Sequence, residues 1–171
     1  DIENIMKTNR FHNFPVVEKC GNYVGLISRR RLLNMNRKKV ILVDHNEISQ
    51  AVDGIQKADI LEIVDHHRLG GFETLEPVFF RNQPVGCTAT IITQLYDEKG
   101  VVPDRKIAGL LASAIISDTL LFRSPTCTPI DKAAGLALAQ IAGLDIEKYA
   151  IDMFSAGSNL KGKSDGDIFY Q

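Results

Sequence analysis

Hydrophobic and polar residues follow different patterns before and after residue 37. In the first part, a short helical pattern over residues 2–8 precedes two apolar runs, FPVVEK and YVGLIS. These runs predict strands on either side of the turn sequence CGN. Ser28 is predicted as the N-cap of a helix over RRRLLNM. The first part is therefore predicted to be helix–strand–strand–helix.

Continuous β-branched runs after residue 37 predict strands buried on both faces. VILV and ILEIV are such runs, and EISQAVDGI between them has helical spacing. We expect a parallel, right-handed strand–helix–strand unit. Later helices are predicted over PVGCTATIITQLYDEKG, beginning near Cys87 or Thr88 and closed by Gly100, over PDRKIAGLLASAIISDTLLF, over KAAGLALAQIAG, closed by Gly143, and near DIEKYAIDMFSA. The second of these is apolar nearly all round, which predicts burial.

Composition narrows the class of protein. The 171 residues are 44% hydrophobic and 24% charged, with a net charge of -1, so no nucleic-acid or membrane surface is expected. The three cysteines lie far apart without a C-x-x-C pair, which argues against a disulfide framework and for a cytoplasmic protein. No secretory signal and no apolar run of about 18 residues is present, so no membrane span is expected.

Two apolar runs end in the same Asp-His pair. LVDHNE spans residues 42–47 and IVDHHR spans residues 63–68. Parallel sheets bind ligands beyond the carboxyl ends of their strands, where both endings would lie. The side chains expected at this edge are Asp44, His45, Asp65, His66 and His67.

A third acidic residue, Asp118, lies within the apolar segment IISDTLLF. Burying its charge costs several kcal/mol unless a cation compensates. Carboxylates and imidazoles together favour Mn, Fe, Co or Zn. The alternative is that a polar residue after a strand, such as Asn46, only caps the next helix. Two Asp-His endings plus a buried aspartate favour the metal.

Several segments over residues 39–160 resemble the family II inorganic pyrophosphatases of the DHH phosphoesterase superfamily. They are VDHNE, VDHHR, PVGCTATII and SAIISDTLLFRSPTCT. The resemblance implies an α/β fold whose parallel-sheet DHH core carries helices on both faces. It implies hydrolysis of inorganic pyrophosphate to two phosphates by a metal-bridged hydroxide. It also implies a dinuclear Mn²⁺ or Co²⁺ site, with Mg²⁺ accompanying the substrate.

The resemblance also implies residue roles. Asp44, His66 and Asp118 would be metal ligands, and Asp44 would act in catalysis by bridging the two ions. His67 would be catalytic: it would hydrogen-bond the substrate phosphate and assist the leaving group. Arg123 in RSPTCTP would contact substrate, or it could simply be solvated.

The segment FPVVEKCGNYVGLISRRRLL resembles the second half of a CBS repeat, a module that binds adenine nucleotides. The implied plan is half a CBS repeat over 1–36, a DHH catalytic core over 37–158, and a linker over 159–171 toward a DHHA2-type domain. AMP or ADP would inhibit and ATP could activate. The positions implied in nucleotide binding are Arg10, Phe14, Pro15, Ser28, Arg29, Arg30 and Arg31. Many CBS repeats have Asp where Arg31 stands, and a solvated basic helix face is the alternative.

Two family features are not found, namely the first signature His-x-x-x-Asp-x-Asp and the C-terminal substrate clamp. We therefore expect a fragment with little activity by itself. Pyrophosphate, adenine nucleotides and a second copy of the chain are the expected partners. One alternative function is a DHH phosphodiesterase acting on short oligonucleotides, although the chain has no Trp for base stacking. The other is a non-enzymatic nucleotide sensor, although its metal positions are intact.

Overall fold

The computed structural model of the chain describes residues 2–30, 37–71, 73–74 and 76–157. It divides into two compact units, Asp1–Lys38 and Lys39–Gln171. Three predicted features lie outside the described residues: the helix over RRRLLNM beyond its first two residues, Arg31, and the linker over 159–171.

The first unit contains the predicted helix and both predicted strands. Helix α1 spans Ile2–Thr8, strand β1 spans Asn13–Val17 and strand β2 spans Tyr23–Ser28. The strands pair antiparallel, and Gly21 in the turn between them has a φ of +89°, a conformation that glycine adopts without strain. The Arg29 side chain donates to the carbonyls of Met6 and Asn9. Arg29 therefore satisfies acceptors that the end of α1 leaves without helical partners.

The second unit is built on a parallel sheet of three strands in the order β3-β4-β5. Strand β3 spans Lys39–Val43, β4 spans Asp59–Asp65 and β5 spans Phe79–Asn82. The first two are the predicted strands, and their parallel pairing is confirmed. Strand β5 was not predicted. Its register places Asn82 beside Asp65, so all the strands end at one edge.

The helix predicted over EISQAVDGI is wrong. The segment instead forms two single 3₁₀ turns, Ile48–Gln50 and Ile55–Lys57, separated by extended Ala51 and by Gly54 with a φ of 88°. The chain is already extended at Ala51, and left-handed Gly54 cannot continue a right-handed helix, so the segment is interrupted at both residues. Of the two turns, only Ile55 is buried, in a cluster with strand residues that include Leu42 and Ile63.

Up to residue 157, where the described residues end, four helices follow the sheet, as predicted. They are α2 (Thr88–Glu98), α3 (Arg105–Asp118), α4 (Pro129–Ala142) and α5 (Ile146–Gly157). Cys87 is the N-cap of α2, and Gly143 ends α4 in the left-handed conformation. Ile91 of α2 packs on Val64 of β4. Helix α2 therefore packs on one face of β4, and Ile55 of the second 3₁₀ turn packs on the other, beside Ile63. The parallel sheet with its helices confirms the α/β class.

Helix α3 departs from its predicted length and burial. It ends at Asp118, and its apolar surface is only partly covered, because Ala112 and Ile115 are fully buried whereas Leu110 is 68% exposed. After the helix, Leu120, Leu121 and Phe122 have φ values of 49°, 53° and 65°. Three consecutive left-handed residues redirect the chain sharply. Within the described ranges, every helix is too short or too polar to cross a membrane.

Candidate metal centre

The strand ends of the sheet bring three side chains to one point. Asp44, His66 and His67 each offer a donor atom, and these atoms all lie within 4.8 Å of one another. Nε2 of His66 is 3.5 Å from Oδ1 of Asp44. Sequence-based reasoning placed all three residues at this sheet edge.

Asp44 is held by its backbone and by a helix. Its φ of 68° is left-handed, a conformation that Asp tolerates better than most residues, and its amide donates to the Val64 carbonyl at 3.0 Å. Thr88, the first residue of α2, donates its hydroxyl to Oδ1 of Asp44 at 2.8 Å. The side chain stays 57% exposed, so the carboxylate is fixed in direction yet open to solvent.

The His66 ring is oriented by a backbone carbonyl. Nδ1 lies 2.9 Å from the oxygen of Val85, which can only accept, so Nδ1 carries the proton. The lone pair of the neutral ring is then on Nε2, which faces Asp44. This is how proteins usually orient a metal-binding histidine.

Buried Asp65 organises the second Asp-His ending. Its Oδ1 accepts from Nδ1 of His67 at 2.8 Å and from the amide of His66 at 2.8 Å, and its Oδ2 accepts from the Asn46 amide group. Burial by itself would raise the pKa of Asp65, but hydrogen bonds from His67, Asn46 and the backbone outweigh burial and lower that pKa. Asp65 is therefore ionised at neutral pH, and His67 is held with Nε2 directed away from the carboxylate.

Asn46 does not cap a helix as the alternative reading suggested. It is buried, and it donates to Asp65 and to the Arg68 carbonyl at 3.0 Å, while it accepts from the Gly70 amide. The residue at the start of the following 3₁₀ turn is Glu47, which makes no side-chain cap. Asn46 therefore ties together the loops that follow β3 and β4.

His45 is not one of the clustered donors. Its Nδ1 lies 3.0 Å from the carbonyl of Val43, and its Nε2 is buried without a hydrogen-bond partner among the described residues. His45 therefore follows the strand end as expected but takes no part in the cluster of Asp44, His66 and His67.

The predicted burial of Asp118 is wrong. The residue is exposed, because α3 ends there and the left-handed residues then lead the chain away. Asp118 is also not one of the three clustered donors. It lies beside the buried thiol of Cys87: burial first, then the hydrogen bond to Asp118 and the charges of Asp118 and Asp44, raise the pKa of that thiol. Cys87 thus stays protonated at neutral pH, which fits packing rather than nucleophilic attack.

The other predicted site residues are not members of this cluster. Arg123 is exposed and follows the left-handed residues after α3. In the first unit, Arg10 and Arg30 are exposed, Phe14 and Pro15 belong to β1, and Ser28 ends β2. The Arg29 side chain is already bonded to carbonyls of its own unit, a use that competes with the predicted phosphate contact.

Sequence-based reasoning missed the residues that hold the donors in place. Thr88 and Val85 were given no role at the site, Asn46 was considered only as a helix cap, and Asp65 was expected only to lie at the sheet edge. The signal available for Asp65 was its position directly after the buried run ILEIV. No local pattern marks Val85, because its carbonyl contributes regardless of the side chain.

The donor set fits a divalent first-row cation. One carboxylate and two imidazoles are ligands that such ions prefer. Thr88 and Val85 orient Asp44 and His66 by hydrogen bonds, as is usual for metal ligands in proteins. Asp44 is the partly exposed member and leaves the cluster open to solvent. Residues that would hold a cation here are Asp44 and His66, with His67 beside them.

Comparison with known proteins points to one family. A model described as the DHH family, N-terminal domain, matches residues 2–115. The cobalt-dependent inorganic pyrophosphatase of Clostridium perfringens is 49% identical over 169 residues, which are 99% of this chain and 31% of that protein. The manganese-dependent inorganic pyrophosphatase of Methanothrix thermoacetophila is 53% identical over 133 residues, 78% of this chain and 43% of that protein.

A solved structure is similar to this chain as well. The crystal structure of a Methanococcus jannaschii protein, described as a candidate family II inorganic pyrophosphatase, matches with a TM-score of 0.67 and 42% identity. The match covers 71% of this chain and 42% of that one. The chain therefore spans less than half the length of each of these three relatives.

Proposed function

Because this chain belongs to the DHH family, we propose that the protein containing it hydrolyses inorganic pyrophosphate to two phosphates at a divalent-metal centre. The observation that carries the proposal is the convergence of Asp44, His66 and His67 within 4.8 Å at the carboxyl edge of the sheet. Relatives about 50% identical carry the names of cobalt- and manganese-dependent inorganic pyrophosphatases, which supports Co²⁺ or Mn²⁺ as the ion. Asp44 and His66 are too few ligands for two ions, so a dinuclear centre also draws ligands from outside this cluster.

Different side chains at this sheet edge are proposed to bind the metal and the substrate. Asp44 and His66 hold the cation, and Thr88 keeps the Asp44 carboxylate in place. When bound, ions of this kind act as Lewis acids on phosphoryl oxygens and lower the pKa of bound water to about 7. His67, with Nδ1 held by Asp65, presents Nε2 to a substrate phosphate and, in its protonated form, donates from Nε2 a hydrogen bond that favours departure of the second phosphate. Asp118 and Arg123 are proposed as a further metal ligand and a further substrate contact.

Phosphate release from pyrophosphate in the presence of Mn²⁺, by the full-length protein that contains this chain, tests the proposal. His66→Ala should reduce release strongly. His12→Ala removes an exposed histidine of the first unit and should leave release unchanged. A folded protein that binds Mn²⁺ and releases no phosphate would end the proposal. Hydrolysis of a short oligonucleotide instead would identify a phosphodiesterase.

We propose in addition that residues 1–36 are half of a CBS repeat through which AMP, ADP or ATP regulates hydrolysis. Support comes from the separate compact unit that residues 1–38 form and from its exposed Arg10 and Arg30. Calorimetric titration of the full-length protein with AMP tests this, and Arg30→Ala should weaken binding. No heat of binding, with hydrolysis intact, would remove nucleotide regulation and leave the enzyme.

We propose further that Mg²⁺ binds together with pyrophosphate. We also propose that the full-length protein is a homodimer. Sedimentation of the full-length protein measures the assembly. The dependence of the hydrolysis rate on Mg²⁺ concentration, at fixed Mn²⁺, tests whether Mg²⁺ binds with the substrate. A monomer, or a rate independent of Mg²⁺, would contradict the corresponding part.

A further inference from the structure

One peptide unit lies between the His66 ring and a buried carboxylate. The carbonyl of Val85 accepts from Nδ1 of His66 at 2.9 Å, and the amide of Gly86 donates to Oδ2 of Asp131 at 2.8 Å. This carbonyl and this amide belong to the same planar peptide group. The two hydrogen bonds are therefore in series, from Asp131 through the Val85–Gly86 peptide to His66.

Hydrogen bonds stabilise the ionised form of the Asp131 carboxylate. It is fully buried at the start of α4; Thr90 donates its hydroxyl to Oδ1 at 2.6 Å, and the amide and hydroxyl of Thr128 donate to Oδ2 at 2.7 and 2.6 Å. Burial alone would raise the pKa of Asp131, but the hydrogen bonds from Thr128, Thr90 and Gly86 outweigh burial and lower that pKa. A full negative charge thus lies behind the peptide.

Glycine at position 86 permits this close approach. A Cβ there would lie 2.9 Å from Cγ2 of Thr119, 3.1 Å from Oδ2 of Asp131 and 3.2 Å from Cα of Cys127. These distances are shorter than ordinary van der Waals contact, and one of the atoms is backbone. The peptide therefore reaches the carboxylate because no side chain is present.

We propose that Asp131 is a positioning residue for the metal centre. By polarising the Val85–Gly86 peptide, it strengthens the hydrogen bond to Nδ1 of His66, keeps Nε2 free, and raises the strength of Nε2 as a donor to a divalent cation. Hydrogen bonds in a chain polarise one another, and partners of ligating histidines commonly include carboxylates and carbonyls. The inference rests on the proposed function only in its use of the same metal centre.

A helix cap alone would explain part of this arrangement. Thr128 and Asp131 form a capping box at the start of α4, and a purely structural role would cost stability without changing metal affinity. Oδ2 of Asp131 accepts both from Thr128 of the cap and from Gly86, whereas Oδ1 accepts from Thr90. The two roles are therefore separated by the quantity measured, because loss of the cap lowers stability whereas loss of the charge behind the peptide weakens metal binding.

Mn²⁺ affinity of the full-length protein, measured by competition with a chelating dye, tests the proposal. Asp131→Asn keeps the shape and the acceptor but removes the charge, and should weaken Mn²⁺ binding by about tenfold. Thr90→Val removes the bond to Oδ1 and should lower stability while changing the affinity by less than about twofold. Native affinity in folded Asp131→Asn would overturn the proposal, as would equal weakening in both variants.

Spectroscopy of the native, metal-free protein covers the case in which Asp131→Asn fails to fold. With ¹⁵N-labelled histidine, His66 should carry its proton on Nδ1 and not on Nε2, and the Gly86 amide proton should exchange slowly. The opposite tautomer, or exchange as fast as in an open loop, would overturn the proposal. Neither Mn²⁺ affinity nor the tautomer involves pyrophosphate, so loss of the proposed reaction would be seen separately.

Discussion

The segments Leu42–Glu47 and Ile63–Arg68 share an apolar run and an Asp-His pair, yet they use that pair in opposite ways. In the first segment, Asp44 is exposed and offers a ligand atom for a metal, whereas His45 is hydrogen-bonded to the Val43 carbonyl. In the second, Asp65 is buried and the two histidines offer the donors.

The backbone explains the reversal. Asp44 follows β3 with a left-handed φ of 68°, whereas Asp65 is still the last residue of β4 and is buried like the strand residues before it. A repeated motif therefore repeats a position at the edge of the sheet, and the local conformation decides which side chain faces the ligand.

The largest effect is expected from the first segment. Asp44→Asn keeps the size and the tolerance for a left-handed backbone but removes the charge. Phosphate release with Mn²⁺ should fall about 10²- to 10³-fold, since metal ligation contributes several kcal/mol. His45→Ala in the same segment should change release by less than about tenfold. A folded His45→Ala variant as impaired as Asp44→Asn would reverse the assignment of the two residues.

The second segment should show the effect on stability instead. Asp65→Asn disturbs a buried carboxylate that accepts from His67, His66 and Asn46, and should lower the free energy of unfolding by about 2–3 kcal/mol. Exposed Asp44→Asn should stay within about 0.5 kcal/mol of native. Urea unfolding of the full-length variants measures both. Equal losses would show that burial does not separate the two aspartates.

Buried Asp131 extends the comparison to acid pH. Its lowered pKa means that ionisation stabilises the fold above the pKa of an unfolded carboxyl, about 3.9, and that this contribution is lost as the pH falls toward the folded pKa. Asp131→Asn should therefore be less stable at neutral pH and lose less stability on acidification. Unfolding free energies from pH 7 down to the acid limit measure this, and parallel native and variant curves would contradict it.

The smallest effect is expected where the two segments meet on the surface. Arg68 and Glu47 form an ion pair at 3.1 Å, with the Arg68 side chain 85% exposed. Arg68→Ala should lower stability by less than about 1 kcal/mol. Added salt should shrink the difference, because exposed charges are screened. A larger loss that persists in high salt would mean that Arg68 holds the loops by packing.

Most helices and two of the three sheet strands were predicted from hydrophobic patterns within their own segments. The continuous apolar runs VILV and ILEIV and the helical spacing of α2 to α5 can both be seen in the sequence. Strand β5 was missed because its four residues, half of them polar, are identified by pairing with β4 and not by any pattern of their own. In residues 47–55, apolar spacing suggested a helix, but Gly54 in the left-handed conformation overrides that spacing.

The candidate site was predictable where it depends on strand ends. Parallel strands place Asp44, His66 and His67 at one edge, and the repeated motif indicated this. The exposure of Asp118 could not be inferred, because it depends on where α3 stops. The contribution of Val85 is equally hidden, since a carbonyl has no sequence signature.

The left-handed turn after α3 has a consequence for engineering. Each non-glycine residue in that conformation costs about 1–2 kcal/mol, so Leu120, Leu121 and Phe122 together lower the stability margin of the fold. The Phe122 ring packs against the core cluster and directly over Gly135, where a Cβ would lie 2.8 Å from it. Leu120 is 57% exposed and has less packing to lose. Efforts to make this protein heat-resistant would therefore start at position 120, where glycine relieves the strained backbone.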